Sequence, residues 1–170
     1  MKMLTTQTGG LLNRLATNNE EAIEDTARLL AQATVGQGRV IFAGFDELAA
    51  VTTVATLSDK PFIGAIPYEP SLTIGTEDRV WIFTRSAEHP AAVALAKKLD
   101  EQFIPFAVVA AEKDEENELA NMATSYISTG LLRGILPGEN GERIVQPHAL
   151  ASLFIYEAVK ISYDEMTIDA

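Results

Sequence analysis

Asp78-Arg-Val-Trp-Ile-Phe-Thr84-Arg85-Ser86-Ala87-Glu88-His89-Pro90 is the stretch on which the reading of this chain turns. After the leading Asp78 comes an apolar run ending at Thr84, which reads as a buried strand. Residues 85–89 break the run and read as a turn. Pro90 then stands where a helix begins, because the N–H that proline lacks has no partner in the first helical turn anyway. Residues 90–102 keep a helical composition.

The same unit of strand, tight turn and helix recurs on both sides. Upstream, residues 18–34 read as a helix: Asn18 or Asn19 can cap it, Glu20 and Glu21 suit its positive end, and Ile23, Ala27, Leu30 and Ala31 form one apolar stripe. Gly36 and Gly38 stop it; 39–44 read as a strand ending in Gly44, 46–58 as a helix and 62–66 as a strand. Downstream, 104–110 read as a strand, 115–124 as a short helix and 126–129 as a short strand. Residues 130–146, with Gly134, Pro137, Gly138 and Gly141, read as a long loop, and 147–163 as the closing helix. Such alternation predicts an α/β fold, a three-layer αβα sandwich around a mostly parallel sheet of about five strands. Residues 1–170 read as a single domain, with 1–17 a helical or irregular arm and 164–170 an acidic tail. Leu4, Leu11, Leu12 and Leu15 of the arm are expected to be buried, against either another chain or the domain.

Charge and composition narrow the partners. Thirteen Lys and Arg stand against 24 Asp and Glu, a net charge of −11. A field of that sign argues against nucleic acid and anionic membrane surfaces as partners. The absence of Cys removes thiolate chemistry, disulfides and Cys-ligated metal. No apolar run approaches the roughly eighteen residues of a membrane span, and the N-terminus lacks the pattern of a signal peptide, so a cytoplasmic location is expected.

In parallel sheets small ligands sit beyond the C-terminal strand ends, which here means two turns. The second, residues 84–89, has an anion-site character: hydroxyls on Thr84 and Ser86, a cation on Arg85, and helix N–H groups nearby. The plainer reading makes Ser86 an N-cap, Arg85 a solvated side chain, and Glu88 and His89 first-turn residues. The first turn, Ala43-Gly44-Phe45-Asp46-Glu47, offers Gly44 for close backbone approach but sets two carboxylates beside it, unless Lys60, Arg133 or Arg143 folds in to offset them. Its plainer reading is Asp46 as an N-cap and Glu47 as a dipole partner. Glu69 reads as solvated. His148 reads either as a general acid or base or as an exposed helix-start histidine. Dinucleotide, Walker, HExxH and Gly-x-Ser-x-Gly motifs are absent, and His89 and His148 are too far apart in sequence to suggest a metal site. Neither a metal nor another cofactor is expected.

The order of elements and the second turn together resemble the sugar isomerase (SIS) domain family. That family carries an Asp-led strand ending in Ser-x-Ser-Gly-x-Thr before a helix; here Thr84 and Ser86 fall on the two hydroxyl positions, Ala87 replaces Gly, and His89 replaces the last hydroxyl. Arg143-Ile144-Val-Gln146-Pro-His148-Ala-Leu is similar to the last helix of the phosphoheptose isomerase branch, and His148 matches its catalytic His. The resemblance spans most of residues 20–162. It points either to that branch or to a small bacterial SIS-like family with its own ligand. It implies a flavodoxin-like strand order and a sugar-phosphate ligand bound by Gly44, Phe45, Thr84, Arg85, Ser86, Glu88 and His89. It further implies aldose–ketose isomerisation involving His148, and a homodimer or homotetramer. One departure matters for activity. The helix at 48–58 carries no carboxylate where the branch has its base, so the alternative is a sugar-phosphate-binding regulator or sensor without catalysis.

Overall fold

Val40–Ala43, Val80–Phe83 and Phe106–Ala111 are almost completely withdrawn from solvent, as strands covered on both faces must be. The computed structural model describes residues 1–168. Its elements run α1 (Lys2–Asn18), α2 (Glu20–Val35), β1 (Val40–Gly44), a 3-10 turn (Asp46–Leu48), α3 (Ala49–Leu57), β2 (Ala65–Pro67), β3 (Arg79–Ser86), α4 (Pro90–Glu101), β4 (Phe106–Ala111), α5 (Glu118–Met122), β5 (Ser125–Ser128), β6 (Leu136–Pro137), β7 (Arg143–Ile144) and α6 (His148–Thr167). The five-stranded sheet has the order β2-β1-β3-β4-β5, and each of its ladders is parallel. That is the flavodoxin-like order.

Alternate residues of each strand enter different layers. Phe42, Trp81, Phe83, Val109 and Ile127 face the layer of α1, α2, α3 and α6, where they meet Leu30, Val51, Ile155 and Tyr156. Ile41, Ala43, Ile82 and Val108 face the opposite layer, meeting Leu95 and Leu99 of α4 and Leu119 of α5. In the first layer Phe42 lies 5.6 Å from the Trp81 ring and 6.0 Å from that of Tyr156. Aromatic pairs at such spacing add attraction beyond their buried area.

Several expectations change in detail. Residues 1–17 are helical, and Leu11 and Leu15 are buried against the chain's own core, with Leu4 and Leu12 partly so. The closing helix does not end at 163: α6 continues through residues 164–167 of the acidic tail, with Asp164 paired to Lys160 and Thr167 bonded back to Tyr163. Residues 169 and 170 of that tail lie outside the described residues. Residues 62–66 are not a strand throughout, since β2 starts only at Ala65; Phe62 is apolar because it packs on Tyr163, ring centres 4.0 Å apart. The long loop at 130–146 contains an antiparallel pair, β6 with β7.

At the N-terminal edge of the sheet, Asp78 is 1% exposed and accepts four hydrogen bonds. Three come from Arg39, through its backbone N–H (2.9 Å), Nε (3.1 Å) and Nη2 (2.6 Å), and one from the Gly75 N–H (2.9 Å). Burial pushes the carboxyl up, but these donors outweigh it and hold it below the usual carboxylate range. Asp78→Asn is therefore expected to lose roughly 2–3 kcal/mol in urea unfolding at pH 7. Because the folded state disfavours the proton, this stabilisation is present above about pH 4 and fades as pH falls further. A variant as stable as wild type at pH 7 would contradict the clamp.

Candidate functional site

The strand order reverses between β1 and β3, so the crevice beyond their C-terminal ends is where a ligand is expected first. Here the chain's own side chains bridge it. Gly44 ends β1 under tight constraint: a Cβ there would lie 2.2 Å from the Leu48 carbonyl oxygen. The next residue, Phe45, donates its N–H to Phe83 O at 2.9 Å and lays its ring 5.1 Å from that of His89. Asp46 is not the N-cap; it stands at φ +54° with its carboxylate 3.1 Å from His89 Nε2. Glu47 accepts two hydrogen bonds from Arg85, at 2.9 and 2.6 Å, which hold its carboxyl below the usual range. Lys60, Arg133 and Arg143 do not supply the offsetting cation; Arg85 does.

The second turn is also satisfied from within. Thr84 is buried and donates its hydroxyl to Ser86 O. Ser86 closes β3 and caps no helix; its Oγ accepts the Glu88 N–H. The cap of α4 is His89, whose Nδ1 accepts from Ala92 N. The N–H groups of Ala87 and His89 go to Ala111 O and Ser86 O. Three donors that could have faced an anion are thus committed.

A cavity of about 400 Å³ lies beside this turn, between it, the loop after β4 and the start of α6. Arg85, Ser86, Glu88, Asn117, Gln146 and His148 are among its lining residues. His148 opens α6 and is 6% exposed, so it is not an exposed helix-start residue. Burial and the nearby Arg85 push its pKa down, opposed by Glu47, which favours a neutral ring at pH 7.

Of the candidate residues, the cavity gathers Arg85, Ser86, Glu88 and His148. It does not take in Thr84 and His89, and Gly44 and Phe45 line a separate recess with Thr52 and Tyr68. Glu69 is exposed, as expected. The loop after β4 was not singled out from the sequence, although 112–117 is a third strand-to-helix turn and follows the same C-terminal rule. Among the described residues no group of three or more His, Asp or Glu could hold a metal ion. None of the described helices is long and apolar enough to cross a membrane.

Comparison with known proteins supports this architecture. The family described as "Domain of unknown function (DUF2529)" matches residues 1–167. The uncharacterized protein YwjG of Bacillus subtilis strain 168 is 30% identical over 168 residues, 98% of this chain and 96% of its own. Among solved structures, a Bacteroides fragilis protein described as a "putative phosphosugar isomerase involved in capsule formation" superposes with a TM-score of 0.72 at 14% identity, over 98% of this chain and 89% of that one. Phosphoheptose isomerase of Neisseria gonorrhoeae gives 0.63 at 12% identity, over 96% and 99%. The NanR protein of Vibrio vulnificus, solved with ManNAc-6P, gives 0.62 at 13%, over 97% of this chain and 64% of NanR. At such identities the structures share a fold. From α1 to the end of α6, the chain belongs to the DUF2529 family, and its fold is that of the sugar isomerase (SIS) domains.

Proposed function

We propose that this chain is a binding domain for a phosphorylated sugar, held in the His148 cavity at the C-terminal edge of the sheet. The observation that carries this reading is the placement of a buried His148 with Ser86, Glu88, Asn117 and Gln146 around one polar cavity of about 400 Å³, a volume suited to a small metabolite. Such side chains offer both donors and acceptors to sugar hydroxyls. The ManNAc-6P held by NanR supports the ligand class by analogy of fold.

Isomerisation is the second reading, and the buried, neutral His148 facing the same cavity as Glu88 is what favours it. Proton transfer between adjacent carbons needs a base of tuned pKa in reach of the substrate. Helix α3 carries no carboxylate, and Glu47 is committed to Arg85. Binding without turnover therefore accounts for more of the geometry. A cytoplasmic location and an assembly of two or four copies complete the proposal; sedimentation of the protein as a monomer would remove the assembly.

Thermal-shift titration with sedoheptulose 7-phosphate, fructose 6-phosphate, glucosamine 6-phosphate and inorganic phosphate tests the reading. A ligand at 100 times its Kd stabilises by about 2.7 kcal/mol, a rise of a few degrees. One sugar phosphate is expected to exceed inorganic phosphate clearly, and Ser86→Asp to abolish that excess; no shift with any sugar phosphate would overturn it. The depressed pKa of His148 makes a second prediction. The folded state resists protonation of this ring, so its contribution is complete above about pH 6.5 and is lost as pH falls below that. His148→Gln should accordingly lose less stability than wild type between pH 7 and pH 5, measured by urea unfolding; equal losses would contradict the burial of a neutral ring.

A further inference from the structure

Arg28, Arg39 and Arg85 are ion-paired, and Arg79 lies on Gln32 and backbone carbonyls. The remaining three arginines, Arg14 of α1, Arg133 after β5 and Arg143 of β7, line one cavity of about 430 Å³ beyond the C-terminal end of β5. Among the described residues none of these three is paired with a carboxylate. In a chain of net charge −11, three cations that line one cavity and pair with no carboxylate favour a bound anion there.

The local fold brings them together. Gly134 leaves no room for a side chain, since a Cβ would lie 2.4 Å from Ile144 O, so β7 rests directly on the loop that carries Arg133. Arg143 fastens this contact by donating to Gly134 O and Ile135 O. The Asn19 amide donates to Leu15 O and Ser128 O, which ties the end of α1 to the end of β5 and so brings Arg14 to the same cavity.

The opposing charges are Glu112 and Glu115, and Glu112 is already held by the hydroxyls of Tyr126 and Ser128. Three cations against two carboxylates leave this cavity positive. The His148 cavity has the other balance, with five carboxylates against Arg85 and Lys113. It also borders a turn whose N–H donors are committed. Glu112 and Leu131 line both cavities, so the two adjoin.

We propose that the arginine cavity, rather than the turn between β3 and α4, binds the phosphate group of a small phosphomonoester. Guanidinium groups suit that dianion because they can donate paired hydrogen bonds to its oxygens. Only the sugar half of the ligand, lying toward His148, rests on the function proposed above.

Calorimetric titration at fixed ionic strength, with inorganic phosphate and fructose 6-phosphate as probes, tests the site. Arg14 and Arg133 are exposed, so the double variant Arg14→Ala/Arg133→Ala should fold, and an unchanged melting temperature checks it. That variant is expected to bind phosphate about a hundredfold more weakly, roughly tenfold for each guanidinium lost, while Ser86→Asp retains phosphate affinity. Unchanged phosphate affinity in the double variant, or loss of phosphate binding in Ser86→Asp alone, overturns the inference. Phosphate that depends on the arginines while fructose 6-phosphate binds no more tightly than phosphate upholds the arginine site and removes the sugar reading instead.

Discussion

A parallel sheet buried on both faces leaves a chain only the two ends of that sheet for polar chemistry. Here β1 and β4 are apolar through their whole buried length and β3 from Val80 to Phe83, so the polar side chains near them gather toward one edge or the other. At the N-terminal edge the result is structural: Asp78 and Arg39 join the starts of β3 and β1. At the C-terminal edge the strands open into turns of three different kinds, and the candidate sites lie among them.

The chain fills part of that edge itself. Glu47 pairs with Arg85, and Asp46 lies in hydrogen-bond contact with His89 Nε2, so the crevice between β1 and β3 is bridged by the chain's own side chains. Both pairs are solvent-accessible and contribute little to stability, but their positions matter for function. With Arg85 neutralised and the N–H groups of the second turn committed, the edge's unpaired arginines lie at the β5 end. The polar groups able to meet sugar hydroxyls lie between, around His148. This division of one edge into a neutralised crevice, a polar cavity and a cationic one is what distinguishes this chain from a simple phosphate-binding turn.

Much of the architecture could be read from residues 78–90, because an apolar strand, a break and Pro90 admit few other arrangements. The strand order followed from the family resemblance and holds. What escaped the sequence is the direction of individual side chains. Thr84 and Ser86 read alike as turn hydroxyls, yet the ladder between β3 and β4 shifts register between Phe83 and Ser86, and Thr84 is buried. His148 follows a glycine-rich loop and reads either as a general acid or base or as an exposed helix-start residue; it is buried and lines a cavity with Leu131 and Leu132. The partners Glu47–Arg85 and Asp46–His89 are 38 and 43 positions apart, beyond any local spacing rule. The three arginines share no motif, and only the folding of α1 and the β6–β7 hairpin onto the end of β5 assembles them.

The central claim is that the cavity beside His148 receives the ligand, and the chain is well made for testing it, since it contains only two histidines. Ring signals of His89 and His148 can be followed by NMR during titration with a sugar phosphate, with inorganic phosphate as the reference. The account predicts that the sugar phosphate moves the His148 ring signals well beyond the effect of phosphate, while those of His89, committed as the cap of α4, change little. A titration that moves His89 and leaves His148 still would place the ligand at the β1–β3 crevice and contradict the account.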